Sequence, residues 1–255
     1  MRNVAVVVPI YQAQLSELEH FSLRHSLAQF QKGRAVFFVG PEGLDMSRHA
    51  VDFPGIPFIP FESSSFSSVQ GYSRLLMSKA FYQRFDQHEF MLILQTDAIL
   101  LKDELDTWCA RPYDYVGAPW PDGLEILINL GRFEGGLGKR IRTHVGNGGL
   151  SLRRIPKCIA LLEEFPEAVD YFVKTGSSED LFFGFMGPVS LDFVMPNEFV
   201  ASTFALELKP EYYHAVNQQR PPMGGHAWWK YNPAFWLDLL GPHADGVRPH
   251  LPTQA

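Results

Sequence analysis

The stretch Phe90-Met91-Leu92-Ile93-Leu94-Gln95-Thr96-Asp97-Ala98-Ile99-Leu100-Leu101 decides how the chain is read. Five consecutive apolar residues bounded by polar ones are too few for an ordinary helix, so 90–94 is predicted to be a strand buried on both faces of a mostly parallel sheet. Ligands of open α/β sheets gather at the carboxyl ends of such strands, which puts Gln95, Thr96 and Asp97 where binding takes place. A lone carboxylate there suits a metal ion or a substrate hydroxyl. It equally suits a turn or a helix cap.

Working outward, Val4 to Val8 is a β-branched run ending at Pro9, the pattern of a central strand that leaves the sheet where proline removes a backbone donor. Helical spacing from about Ser16 to Gln31 precedes a second short apolar run, Ala35 to Val39, and the three together predict a right-handed βαβ unit. A short strand is expected at Ile56 to Ile59. The serine run Ser63 to Ser68 then reads as a mobile loop or linker. Val69 to Phe85 returns to helix and feeds directly into the strand at 90–94; its Arg74 is either a solvated charge or one that reaches a phosphate beside the strand end. Gly123 to Arg142 is polar and glycine-rich, and is expected to be an insertion or a flexible acceptor loop.

A second cluster is Val145-Gly146-Asn147-Gly148-Gly149-Leu150-Ser151-Leu152-Arg153. Glycines 148 and 149 ahead of an alternating strand mark either a tight turn or a close approach of backbone to another group or a ligand. Ser177-Ser178-Glu179-Asp180 opens a helix with a serine cap and two acids in the first turn, which is good helix electrostatics. The apolar Leu181-Phe182-Phe183 that follows carries this end toward the core, so one of the acids can face a cleft. His226 follows two glycines and precedes Trp228 and Trp229, an arrangement that suits either a site imidazole walled by aromatics or a packed structural histidine. His214 is read as structural, and the Pro- and His-rich segment from about 241 to 255 as a flexible tail.

Composition narrows the classes. A chain of 255 residues, 46% hydrophobic and 20% charged, is long enough for one large α/β domain spanning 1–255. A formal net charge of -6 with no long basic run argues against a general nucleic-acid binder. Cys109 and Cys158 fall in ordinary apolar surroundings without CxxC spacing, which fits a reducing compartment and argues against thiolate metal ligands. The N-terminal apolar run is too short for a signal-peptide core or a membrane span, so the expectation is a cytoplasmic protein without a transmembrane segment.

Four separated features share one order: Gln95-Thr96-Asp97 after a buried strand, the Gly-Asn-Gly-Gly loop at 146–149, Ser178-Glu179-Asp180 at a helix start, and the late Gly224-Gly225-His226. Together they resemble the GT-A fold glycosyltransferases, with their DxD-type metal motif, glycine loop, xED acid and C-terminal histidine. More narrowly they resemble a little-characterised group of GT-A-like proteins of bacteria and fungi in which QTD replaces DxD. The resemblance implies a Rossmann-related, mostly parallel central sheet flanked by helices. It further implies transfer of a sugar from a nucleotide-sugar donor, with UDP the expected nucleotide, to an acceptor hydroxyl of a glycan or another molecule. Asp97 and His226 are carried over as ligands of Mn2+ or Mg2+, and Arg74, Gln95, Thr96, Asp97, Gly148 and Gly149 as residues around the donor. Asp180 is carried over as the base of an inverting displacement, with Glu179 in reserve. Gln95 departs from the pattern, since it stands where an acid is usual and leaves Asp97 as the one full negative charge.

Two other readings compete. A sugar nucleotidyltransferase shares a related sheet and metal, but places a glycine-rich basic loop after its first strand, where this chain has Val8-Pro9-Ile10-Tyr11-Gln12. A non-catalytic carbohydrate- or nucleotide-binding protein on the same scaffold is suggested by the missing first acid, against which stand the retained Asp97, Asp180 and His226.

Overall fold

The computed structural model describes residues 3–128 and 139–252. Its first half runs β1 (Val4–Pro9), α1 (Glu17–Gln29), β2 (Ala35–Pro41), α2 (Ser47–Asp52), β3 (Phe58–Phe61), α3 (Val69–Leu76), α4 (Lys79–Gln83) and β4 (Phe90–Leu94). It continues through β5 (Ile99–Leu100), α5 (Leu105–Cys109), β6 (Tyr115–Val116), β7 (Pro119–Ile128), β8 (Lys139–Val145), β9 (Leu150–Arg154), α6 (Ile155–Glu164) and α7 (Pro166–Thr175). The chain closes with α8 (Glu179–Met186), α9 (Glu198–Phe204), β10 (Ala205–Leu206), α10 (Pro210–Val216), β11 (Gly224–Gly225) and α11 (Pro233–Leu240).

Six strands form the central sheet in the order β3-β2-β1-β4-β9-β6. The pairs β2·β3, β1·β2 and β1·β4 are parallel, and β9 alone runs against its neighbours β4 and β6. All five residues of β4 are buried, as the unbroken apolar run requires. Period-two alternation sends Phe90, Leu92 and Leu94 to one face with Val4, Val6 and Val8, and Met91 and Ile93 to the other with Ala5 and Val7. The first face is covered by residues of α1, α5 and α9, among them Leu23, Trp108 and Phe204; the second by residues of α4, α6 and α8, among them Phe81, Leu161 and Phe183. This is a three-layer α/β sheet with its strand ends open to a site.

Three expectations are corrected. The helix at 69–85 is two helices, because Ser78 adopts an extended backbone and the Tyr82 hydroxyl donates to the Leu76 carbonyl at 2.9 Å, giving that helix end a partner outside the helical ladder. The serine run is no linker. Ser63 donates to the Glu42 carbonyl, Ser67 to the Ser64 carbonyl, and Ser68 caps α3 by accepting from the Gly71 N–H, so these hydroxyls hold a 3-10 turn at Ser63–Phe66 against the sheet. Residues 241–252 are no loose tail either: they form two 3-10 turns that bury Ala244 and Val247 against a third core of Trp228, Trp236 and Leu240. Of the segment expected as an acceptor loop, the described parts belong to the antiparallel hairpin β7·β8, and residues 129–138 lie outside the described residues.

Candidate active site

Asp97 lies in the turn between β4 and β5, and the small sheet β10-β11-β5 brings His226 to it. Gly225 is paired with Ile99 in antiparallel register, so the residue after the one falls beside the residues before the other. The His226 N–H also donates to the Leu206 carbonyl at 3.0 Å, fixing the backbone there. His226 Nε2 stands 3.1 Å from Asp97 Oδ1 and 3.1 Å from Gln95 Oε1, while its Nδ1 faces Glu207 Oε2 at 3.3 Å. Lys230 Nζ donates to the second oxygen of Asp97 at 2.7 Å.

The charges of this cluster answer one another. Burial alone would lower the proton affinity of His226, but the carboxylates of Asp97 and Glu207 facing its two nitrogens push its pKa up to about 10. Burial alone would raise Asp97, and the His226 and Lys230 contacts overcome it, holding the carboxyl well below the usual carboxylate range. As the structure stands, two anions and two cations form a neutral set.

The two glycines named from the sequence have one physical cause each. A Cβ on Gly149 would fall 2.1 to 2.5 Å from three ring atoms of His226, and a Cβ on Gly148 would fall 2.6 Å from Glu179 Oε1 and 3.5 Å from Asp180 Cβ. The expectation was bare backbone for a ligand; what lies on that backbone is the protein's own imidazole and carboxylate. The loop is pinned by Gln95 N–H donating to the Gly149 carbonyl at 2.9 Å and by Gly149 N–H donating to Asn147 Oδ1 at 3.2 Å. Consecutive residues of one loop therefore join the Asp97–His226 pair to the start of α8.

At that start the two acids differ. Glu179 is buried, accepts from Arg153 Nη2 at 3.0 Å and from the Ser73 hydroxyl at 3.3 Å, and so balances an arginine that is itself fully buried. Arg153 further donates to Ser151 Oγ and Tyr82 Oη, each at 3.0 Å. Asp180 is half-buried. Its Oδ1 accepts from the Leu181 N–H at 2.8 Å and from the Ser178 hydroxyl, so Ser178 serves the acid and does not cap the helix with its side chain. Burial pushes the Asp180 carboxyl up to about 6, with the charge of Glu179 adding to it. A carboxyl in that range exchanges protons near neutrality, as a general base must.

Thr96 is buried and donates to Glu19 Oε1 at 2.9 Å; the other oxygen of Glu19 closes the capping box of α1 with Ser16, so Thr96 ties the strand end to that helix. Arg74 lies on the exposed side of α3, and Val69 and Tyr72 are the residues of that helix that line the cleft. The cleft, about 670 Å³, opens at the ends of β1 and β4 and is walled by Tyr11, Phe66, Tyr72, Trp229 and Lys230 around Gln95 and Asp97. The Tyr72 hydroxyl is buried beside the Gln95 side chain. A second cavity of about 570 Å³, between β8 and residues 188–199, contains none of the site residues proposed from the sequence.

Lys230, Glu207, Tyr72 and Arg153 were not singled out from the sequence as site residues. Glu207 had a signal, an acid inside Ala205-Leu206-Glu207-Leu208. Arg153 had one too: it shares a face with Ser151 on a strand that otherwise carries Leu150, Leu152 and the terminal Arg154, and a buried arginine needs a carboxylate. Lys230 follows His226 by four residues, but the turn that folds it back is invisible without the backbone.

A divalent ion can be tested against these donors. Among the described residues no group of three His, Cys, Asp or Glu side chains is arranged to hold a metal. One carboxylate and one imidazole converge instead with the neutral Gln95 amide oxygen, at 3.1 Å from the imidazole nitrogen in each case. Adjacent ligand atoms of an octahedral ion held at about 2.1 Å stand about 3.0 Å apart, so the spacing fits a partial site. Glu207 behind Nδ1 is the kind of partner that fixes a ligating imidazole.

The fold is that of the GT-A glycosyltransferases. The galactosyltransferase LgtC in complex with donor and acceptor sugar analogs superposes with a TM-score of 0.53 at 14% identity, over 98% of this chain and 97% of that one. Mouse xyloside xylosyltransferase 1 in its apo form gives 0.51 at 11% identity, over 87% of this chain and 96% of that chain. The bifunctional glycosyltransferase WbbM gives 0.55 at 10% identity, this chain spanning 50% of its length. Residues 55–226 match a family described as protein of unknown function (DUF5672), and the chain belongs to that family. No curated protein matches the sequence. Among the described residues no helix is long and apolar enough to cross a membrane.

Proposed function

We propose that the chain transfers a sugar from a nucleotide-sugar donor, with UDP the expected nucleotide, to an acceptor hydroxyl, with inversion at the transferred carbon. The observation that carries this reading is the convergence of Asp97, His226 and Gln95, beside Lys230, at the mouth of an aromatic cleft on the strand ends of a GT-A sheet. Asp97 and Gln95 would hold Mn2+ or Mg2+, and His226 would join them on giving up the proton that its two facing carboxylates favour, imidazole favouring the softer ion. Such an ion, when bound, neutralises the charge that develops on the leaving nucleoside diphosphate. Lys230 is placed to meet a phosphate oxygen, and the rings of Tyr11, Tyr72 and Trp229 to wall the nucleotide. Asp180 accepts the proton of the acceptor hydroxyl as its oxygen bonds to the sugar carbon and the bond from that carbon to the diphosphate breaks. Burial, with the charge of Glu179 adding to it, keeps the proton affinity of Asp180 high, and Arg153 keeps Glu179 in place.

The test is thermal stabilisation by nucleoside diphosphates with manganese or with chelator. At about 100 times its dissociation constant a bound ligand stabilises by about 2.7 kcal/mol, and the gain is expected only with the metal present. Equal stabilisation under chelator removes the metal-bridged donor site. A non-catalytic binding protein is the second reading, favoured by the single carboxylate already matched by two internal cations; it predicts the same stabilisation with no turnover.

A further inference from the structure

Both oxygens of Asp97 are occupied by the chain's own cations, but the two cations are held differently. The His226 ring lies against the Gly149 backbone with Glu207 behind it, whereas the Lys230 side chain is 55% exposed and reaches a carboxylate that is 15% exposed. The turn between them is tight: Ala227 adopts a left-handed backbone, φ 48°, and its carbonyl accepts from the N–H groups of both Lys230 (2.9 Å) and Tyr231 (3.1 Å). That turn folds Lys230 back so that residues 226 and 230 meet one carboxylate.

Resting on the donor-site reading above, we propose that Lys230 is a latch, closed on Asp97 by their 2.7 Å contact and released when a diphosphate offers its ammonium a new partner. With the latch closed, an incoming divalent ion meets a carboxylate whose charge is already matched and a like charge 2.7 Å from it. With a diphosphate in the cleft, the ammonium moves to phosphate oxygens and the Asp97 oxygen it held is left to the metal, beside the one that faces His226. Metal and diphosphate therefore bind with positive coupling, and this one half-exposed side chain sets its size. Reciprocity requires that whatever the nucleotide does for the metal, the metal does for the nucleotide.

The experiment compares wild type with Lys230→Met and Lys230→Arg, each shown to be folded by circular dichroism. Manganese alone is titrated by tryptophan fluorescence, and UDP and GDP are then titrated separately at saturating manganese. Lys230→Met is expected to bind manganese alone more tightly than wild type and nucleotide more weakly, the coupling falling by about 5- to 150-fold, while Lys230→Arg keeps the weak metal binding of wild type. Equal or weaker manganese binding in Lys230→Met overturns the latch. Manganese binding by wild type with no nucleotide response overturns the coupling and leaves the metal ligands standing. Binding of neither overturns the donor-site reading and the latch with it.

Discussion

Replacing Gly149 with alanine tests whether that glycine exists to admit the His226 ring. The new Cβ would stand 2.2 Å from His226 Cδ2 and 2.1 Å from Nε2. Non-bonded carbons rest about 3.5 to 4.0 Å apart, so the ring or the loop must give way by about 1 Å or more. The loop is the stiffer party, since Gly149 is hydrogen-bonded through its carbonyl to Gln95 and through its N–H to Asn147. The ring therefore moves, and its 3.1 Å contacts with Asp97 and Gln95 cannot both survive. Overpacking of this kind costs about 1 to 3 kcal/mol, which for a chain of this size lowers the melting midpoint by about 2 to 12 °C. Differential scanning calorimetry measures the midpoint, and repeating it with manganese and UDP measures the ligand response. A variant with wild-type midpoint and an undiminished metal-dependent shift refutes the argument, and returns Gly149 to the role of an ordinary turn residue.

Arg153→Leu leaves Glu179 buried without its cation and is expected to cost about 3 to 5 kcal/mol in urea unfolding; a loss under about 1 kcal/mol would mean that Glu179 is neutral in the folded chain. Asp180→Asn is expected to lower turnover by about 100- to 10,000-fold with nucleotide affinity little changed. The same variant has a signed effect on stability. The folded carboxyl, at about 6, binds its proton more tightly than the unfolded one, so wild-type stability falls as pH rises from the ordinary carboxyl range through about 6, and the asparagine variant escapes that fall. Unfolding midpoints taken from pH 4 to 8 check it, and parallel curves for the two proteins would place Asp180 outside the acidic core.

How far the residues could be read in advance follows from what each depends on. Strands β1, β2 and β4 were legible because burial on both faces leaves an unbroken apolar run, and α1 because its apolar residues recur at mostly helical spacing from about Ser16. The break after Leu76 was not, since Tyr72, Leu75, Leu76 and Tyr82 keep helical spacing across it and the cause is a hydroxyl six residues away. Ala244 and Val247 were missed because their core is assembled from Trp228 and Trp236, distant partners that a Pro- and His-rich composition hides. At the site, Asp97, Gln95 and His226 stand together and Thr96 lines the same cleft while its hydroxyl donates to Glu19, whereas Arg74 lies on the exposed side of its helix and Glu179 pairs with Arg153. Each of those outcomes depends on side-chain direction, which spacing in one dimension does not contain.

The central claim is sugar transfer at Asp97. Its most direct measurement is release of nucleoside diphosphate from a panel of nucleotide sugars, with manganese or with chelator, by wild type and by Asp97→Ala. The account predicts metal-dependent release from at least one sugar nucleotide by wild type and none above the uncatalysed rate by Asp97→Ala. Release that persists in chelator, or that survives the loss of Asp97 in a folded protein, would contradict it.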